Sequence, residues 1–136
     1  MIGLDTNVIV RYLTQDDPKQ AELANRLIEQ TLTAETPGFI STVALVELTW
    51  VLESGYECDR AQVATILERL LRAKPLLVER ADVAWQATRL FAASKADFAD
   101  CMIERIGHAS GCDHTLTFDR AAVRSAGMRL VEPAHR

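Results

Sequence analysis

Apolar positions along this 136-residue chain fall into two patterns: short unbroken runs, and longer stretches in which they recur every three or four residues. The first pattern predicts buried strands and the second amphipathic helices. Ile2-Gly3-Leu4 is a short run ending at Asp5, and Val8 to Leu13 suits one or two helical turns. Asp16-Asp17-Pro18 then starts a helix whose Ala21, Ala24, Leu27, Ile28 and Leu32 trace one stripe, with a stop expected near Pro37-Gly38. Phe39-Ile40-Ser41 predicts a second strand, and Val43 to Glu53 a helix that carries Glu47 and ends at Gly55. Asp59 caps the next predicted helix, in which Val63, Ile66, Leu67, Leu70 and Leu71 repeat at helical spacing until Pro75. Leu76-Leu77-Val78 is the third strand. Helices from Asp82 to about Ser94 and from Asp97 to about Ser110 lead to Thr115-Leu116-Thr117-Phe118, a strand running into Asp119. A short helix and Met128-Arg129-Leu130 close the pattern.

Strands separated by helices require right-handed crossovers, so the expected class is α/β: a three-layer α/β/α sandwich around a mostly parallel sheet. Without a linker or repeat, the chain reads as one domain over residues 1–132 with a short tail at 133–136. Trp50 and Trp85, with Leu45 and Leu70, are expected in the core.

Composition narrows the class. Hydrophobic residues make up 49% of the chain, enough for a core without a disulfide or structural metal. Cys58, Cys101 and Cys112 are odd in number and form no CxxC pair, which argues against a disulfide framework or zinc site and for a reducing cytosol. No run of 18 apolar residues and no signal-like start appear, so a soluble cytoplasmic protein is expected. The net charge of −4 opposes nucleic-acid binding unless the objection is met locally.

Candidate chemistry lies in the acids. Ligands of open α/β sheets bind beyond the carboxyl ends of strands, where strand order reverses, and Asp5 and Asp119 occupy such ends. Glu47 sits one to two turns into the helix after the second strand and Asp100 one turn into its helix, so all four can lean over one rim. Two like charges about 4 Å apart repel by roughly 4 kcal/mol at an effective dielectric near 20. Protons or a cation must therefore relieve such a cluster. Oxygen ligands without nearby His or Cys suit Mg²⁺ or Mn²⁺, ions that activate water and neutralise charge developing on a phosphate.

Plainer roles exist for each acid. Asp5 fits a turn residue and Asp119 a helix N-cap, while Asp97 and Asp100 fit an N-cap with an acidic N3 partner, the role assigned here to Asp97. Glu47 is the only charged residue between Ile40 and Glu53, which favours an interior or rim position over a purely solvated face. His108, His114 and His135 lack the i, i+4 pairing of a helical metal site, and no phosphate-cradling glycine loop or GxSxG elbow is present.

Leu4-Asp5-Thr6-Asn7, Val46-Glu47-Leu48 after Phe39-Ile40-Ser41, Phe98-Ala99-Asp100-Cys101-Met102-Ile103 and Thr115-Leu116-Thr117-Phe118-Asp119 occur in an order that resembles the PIN-domain family, in particular the VapC toxin ribonucleases of type II toxin–antitoxin systems. The resemblance spans essentially the whole chain. It implies a metal-dependent endoribonuclease with Asp5, Glu47, Asp100 and Asp119 as the acidic site and Asn7 and Thr117 as polar support. Asp5 and Asp100 are implied direct ligands of Mg²⁺ or Mn²⁺, with Glu47 and Asp119 acting directly or through bound water. It further implies an RNA substrate, a small VapB-like antitoxin that blocks the acidic site, and a homodimer. Glu104 departs from the pattern, since relatives usually carry a small residue there; an outward-facing charge and an extra rim acid both fit. Arg11, Arg60, Arg69, Arg72, Lys74, Arg120 and Arg124 are available as further positive charge.

Two other classes fit less well. A receiver-like Mg²⁺-binding signalling domain needs an acidic pair after the first strand and an Asp after the third, whereas Asp5 stands alone and Leu76-Leu77-Val78 leads to Glu79. A catalytically silent PIN-fold binding module would have little reason to retain four acids at an electrostatic cost.

Overall fold

The computed structural model describes residues 1–133, so His135 and the rest of the short tail beyond residue 133 lie outside the described residues. The chain divides into two compact units, Met1–Ala81 and the part from Asp82 onward.

In the first unit, β1 (Ile2–Gly3), β2 (Gly38–Ile40) and β3 (Leu76–Val78) form a parallel sheet in the order β1-β2-β3. Gly38 pairs with both Ile2 and Leu76, which makes β2 the central strand. The ladder extends beyond the formal strands through Leu4 N to Phe39 O at 2.9 Å and Glu79 N to Ile40 O at 2.8 Å. Ile40 is fully buried, and Leu76 and Val78 are buried while Leu77, between them, is exposed. That alternation is the two-residue period of a strand. Strand order does not reverse within this sheet.

The crossovers are helical, and each starts at a side-chain cap. Asp5 precedes α1 (Thr6–Thr14), and Asp17 caps α2 (Pro18–Arg26) with Pro18 at its first turn. α2 passes into a π-helical turn, Leu27–Thr31, in which Leu32 N donates to Leu27 O at 2.8 Å. The helical stretch therefore ends at Thr31 rather than near Pro37-Gly38. Thr33 Oγ1 accepts from Thr36 N at 3.1 Å, a local bond that competes with helix continuation. Ser41, predicted in the strand, instead caps α3 (Thr42–Gly55), its hydroxyl accepting from Ala44 N. Asp59 and Gln62 form a reciprocal capping box at α4 (Arg60–Arg72) with bonds of 2.8 and 2.9 Å.

α3 buries Ala44, Leu45, Leu48, Thr49 and Leu52. Residues 43, 47 and 50 fall on the opposite side, so Trp50 is 69% exposed and Val43 79% exposed. The core placement expected for Trp50 is thus overturned. Helical phase, which hydrophobicity alone does not report, decides it.

In the second unit, α5 (Ala81–Ala93) buries Val83, Ala84, Ala87, Thr88 and Phe91, and the Thr88 hydroxyl donates to Ala84 O at 2.7 Å. Trp85 also misses the core: it is half-buried, with the Arg89 guanidinium carbon 5.4 Å from its ring centroid, a cation–π contact. α6 (Phe98–Ala109) buries Phe98, Cys101 and Met102, and Phe98 meets Phe91 edge-to-face at 5.7 Å and 89°. β4 (Leu116–Thr117) and β5 (Arg129–Leu130) pair in parallel around α7 (Arg120–Ala126), which ends at Gly127 with φ +76°. That left-handed conformation suits a glycine after a helix. Every strand pairing in both units is parallel, in keeping with the α/β class read from the pattern. Cys58, Cys101 and Cys112 form no disulfide among the described residues.

Candidate acidic site

In the first unit, Asp5 leaves β1 in an extended conformation and its Oδ1 accepts from Thr6 N at 2.8 Å. Asp5 is exposed, as is Asn7 two residues on, while Thr6 between them is buried. Glu47 lies on the exposed side of α3 with Val43 and Trp50, not in the interior, and α3 packs against α1. Sequence reasoning left Glu79 without a role. Its carboxylate follows β3 and accepts from Thr42 N at 2.8 Å, so it helps Ser41 satisfy the first turn of α3. The only sequence signal for this is an acid directly after a strand.

In the second unit, three acids come together electrostatically. Asp97 caps α6, accepting from Ala99 N at 2.8 Å, the role expected of it. Asp100 lies one turn further, partly buried, and its carboxyl is held above the usual carboxylate range, first by desolvation and then by repulsion from Asp97 and Asp119. Asp119 is held from two directions. Its backbone N–H donates to Thr117 Oγ1 at 3.0 Å, and its Oδ1 accepts from Ala121 N at 2.8 Å as the cap of α7. Thr117 thereby supports the acid through its backbone.

Glu104 does not join these acids in the electrostatics of Asp100. It forms a two-pronged ion pair with Arg105, at 2.5 and 3.0 Å, with only 12% of its side chain exposed. Arg11, one of the cations offered as positive charge, is engaged within the fold by Gln20, Asp16 and Tyr56.

Among the described residues, no group of three or more His, Cys, Asp or Glu side chains is disposed to hold a metal ion by itself. The donor chemistry nonetheless fits a hard divalent cation. The proton affinity of Asp100 is raised first by desolvation and then by the carboxylates of Asp97 and Asp119, and a cation would offset that repulsion.

A sequence model of the PIN domain matches residues 2–127, a stretch that begins at β1 and includes all four predicted acids. The chain belongs to the PIN-domain family. This PIN domain is 24% identical over 130 residues to a VapC ribonuclease of Aquifex aeolicus (strain VF5), an alignment covering 96% of the chain and 95% of the relative. The match runs through both units, so Asp5 and Glu47 in one and Asp100 and Asp119 in the other fall within a single family domain.

Proposed function

We propose that this PIN domain is a Mg²⁺- or Mn²⁺-dependent endoribonuclease that hydrolyses RNA phosphodiester bonds. Its four acids, Asp5, Glu47, Asp100 and Asp119, serve one reaction. The observation that carries the reading is Asp100, a partly desolvated carboxyl set against two further carboxylates in a family domain with a ribonuclease relative along nearly its full length. An arrangement that raises the energy of a charged group is costly unless a cation or proton relieves it.

Asp5 and Asp100 are the proposed metal-holding residues, with Asn7 and Thr117 as polar support. A hard divalent cation supplies charge neutralisation at the phosphate and a more acidic attacking water when it is bound. Asp119 enters the reaction with its backbone and one carboxylate oxygen already fixed, so little ordering remains to be done at the transition state. Exposed Glu47 has the freedom to orient the water and accept its proton. No covalent enzyme intermediate is required.

The VapC relative also motivates the biological setting: a toxin paired with a VapB-like antitoxin, acting on RNA in the cytoplasm as a homodimer. No helix among the described residues is long and apolar enough to cross a membrane.

The test uses purified protein freed of any partner, a panel of RNAs, and Mg²⁺ or Mn²⁺ with and without chelator. Metal-dependent cleavage that is lost in folded Asp5→Asn and Asp100→Asn is the expected result. Undiminished cleavage in chelator, or in both variants, overturns the proposed site. RNA binding without cutting would point to a catalytically silent PIN-fold module.

A further inference from the structure

The residue immediately before Asp119 is Phe118, which is 83% exposed, the most exposed large hydrophobic side chain among the described residues. Leaving an aromatic ring of this size in water forgoes the stabilisation that burial would supply. A single exposed apolar residue is ordinary on a protein surface, so exposure alone decides nothing. Its mounting is the second observation. On one side Thr117 is fixed by its ladder position in β4, where its carbonyl accepts from Val131 N at 3.0 Å. On the other, Asp119 is held by Thr117 Oγ1 and by its own cap to Ala121 N. The exposed ring thus stands on a short backbone segment pinned at both ends.

The surroundings point to one kind of occupant. Arg120 follows Asp119 directly and Arg124 comes one turn later on the same side of α7, both exposed. An aromatic face, a carboxylate and two guanidinium groups within seven residues match the parts of a nucleotide chain: base, metal-bridged phosphate and flanking phosphates. A protein partner would need a broader apolar surface than this ring and Leu116, 41% exposed two residues earlier, and the two residues that follow the ring are charged.

We infer that Phe118 is a substrate-positioning residue that stacks on an unpaired base of the RNA and so sets which phosphate lies against Asp119. This rests on the ribonuclease reading above. A backbone held on both sides of the ring suits the task because little main-chain freedom is lost on stacking, and stacking accepts any base while rejecting a base held inside a duplex.

The test compares wild type with Phe118→Ala, Phe118→Leu, Phe118→Tyr and Phe118→Trp on a short unstructured RNA. Affinity is read by fluorescence anisotropy in chelator and cleavage in Mg²⁺. Phe118→Ala and Phe118→Leu should each weaken binding and raise KM by roughly tenfold, the scale of one lost base–aromatic stack, with kcat changed by less than about threefold. Tyr and Trp should restore both. The salt dependence of binding should be the same in all five proteins, since no phosphate contact is removed. An RNA carrying one abasic position next to the cleaved bond should bind wild type and Phe118→Ala alike. Because the ring is exposed, thermal melts should coincide and exclude a folding defect. If Phe118→Leu binds and cleaves as wild type, or if every variant loses kcat rather than KM, the stacking role is overturned while the nuclease reading stands. If wild-type protein neither binds nor cleaves RNA, both fall.

Discussion

Asp5→Ala removes the carboxylate charge and also the oxygen that accepts from Thr6 N at 2.8 Å, whereas Asp5→Asn removes the charge and keeps an amide oxygen as acceptor. The two substitutions separate a helix-capping role from a chemical one. Loss of a capping side chain costs about 1 kcal/mol, because one orphan donor of the first turn loses its partner. The rest of α1 should hold, since Ile9 and Val10 are buried and tertiary packing supplies most of a short helix's stability. In a chain of this length about 1 kcal/mol lowers Tm by roughly 3–4 °C. Asp5→Asn should stay within about 0.5 kcal/mol of wild type, Asn being an equally good cap. Metal-dependent RNA cleavage should fall in both variants, by more than the roughly 10- to 100-fold typical of an outer-sphere metal partner. Circular-dichroism melts in chelator measure the first effect and a fluorogenic RNA in Mg²⁺ the second. Near-wild-type cleavage by Asp5→Asn would remove Asp5 from the site, and an unshifted melt for Asp5→Ala would remove it as a cap.

Other variants test packing and electrostatics. Phe98→Ala should cost about 3–5 kcal/mol in urea denaturation, with a coupling to Phe91→Ala of about 0.5–1.5 kcal/mol from their edge-to-face contact; strict additivity would refute that contact's contribution. Trp50→Ala, by contrast, should change stability by less than about 0.5 kcal/mol because Trp50 is a surface residue, and a loss of several kcal/mol would mean that the α3 face is covered. Asp100→Asn should raise the Tm of the metal-free protein at pH 7. Its carboxyl is raised above 3.8 in the fold, so its charged form opposes folding at pH values above the folded pKa, and the penalty disappears as pH falls below 3.8. The gain should stay below about 1 kcal/mol for a partly exposed, screened group and should shrink on acidification; a Tm difference that grew as the pH fell would reverse the assigned sign.

Much of the architecture follows from local rules. Runs such as Leu76-Leu77-Val78 can satisfy their backbone only by pairing, and helix starts at Asp17, Asp59, Asp97 and Asp119 are legible because a short carboxylate is a favourable acceptor for free N–H groups. The order of the acidic motifs was likewise enough to name a family resemblance, which the match over residues 2–127 bears out. Local rules failed where a competing local bond intervened, as at Thr33 and Thr36, or where hydrophobicity was taken for burial. Trp50 belongs to an apolar stretch, yet the phase of α3 turns it to solvent, together with Glu47.

What the sequence by itself determined is therefore the element types, their order and most of the caps, all set by interactions within a few residues. Only tertiary structure decided that Glu79 serves α3 from 37 residues away and that Asp100 is partly desolvated and bears the field of Asp119. These outcomes depend on distance and desolvation, which arise when elements pack and have no counterpart in the linear pattern.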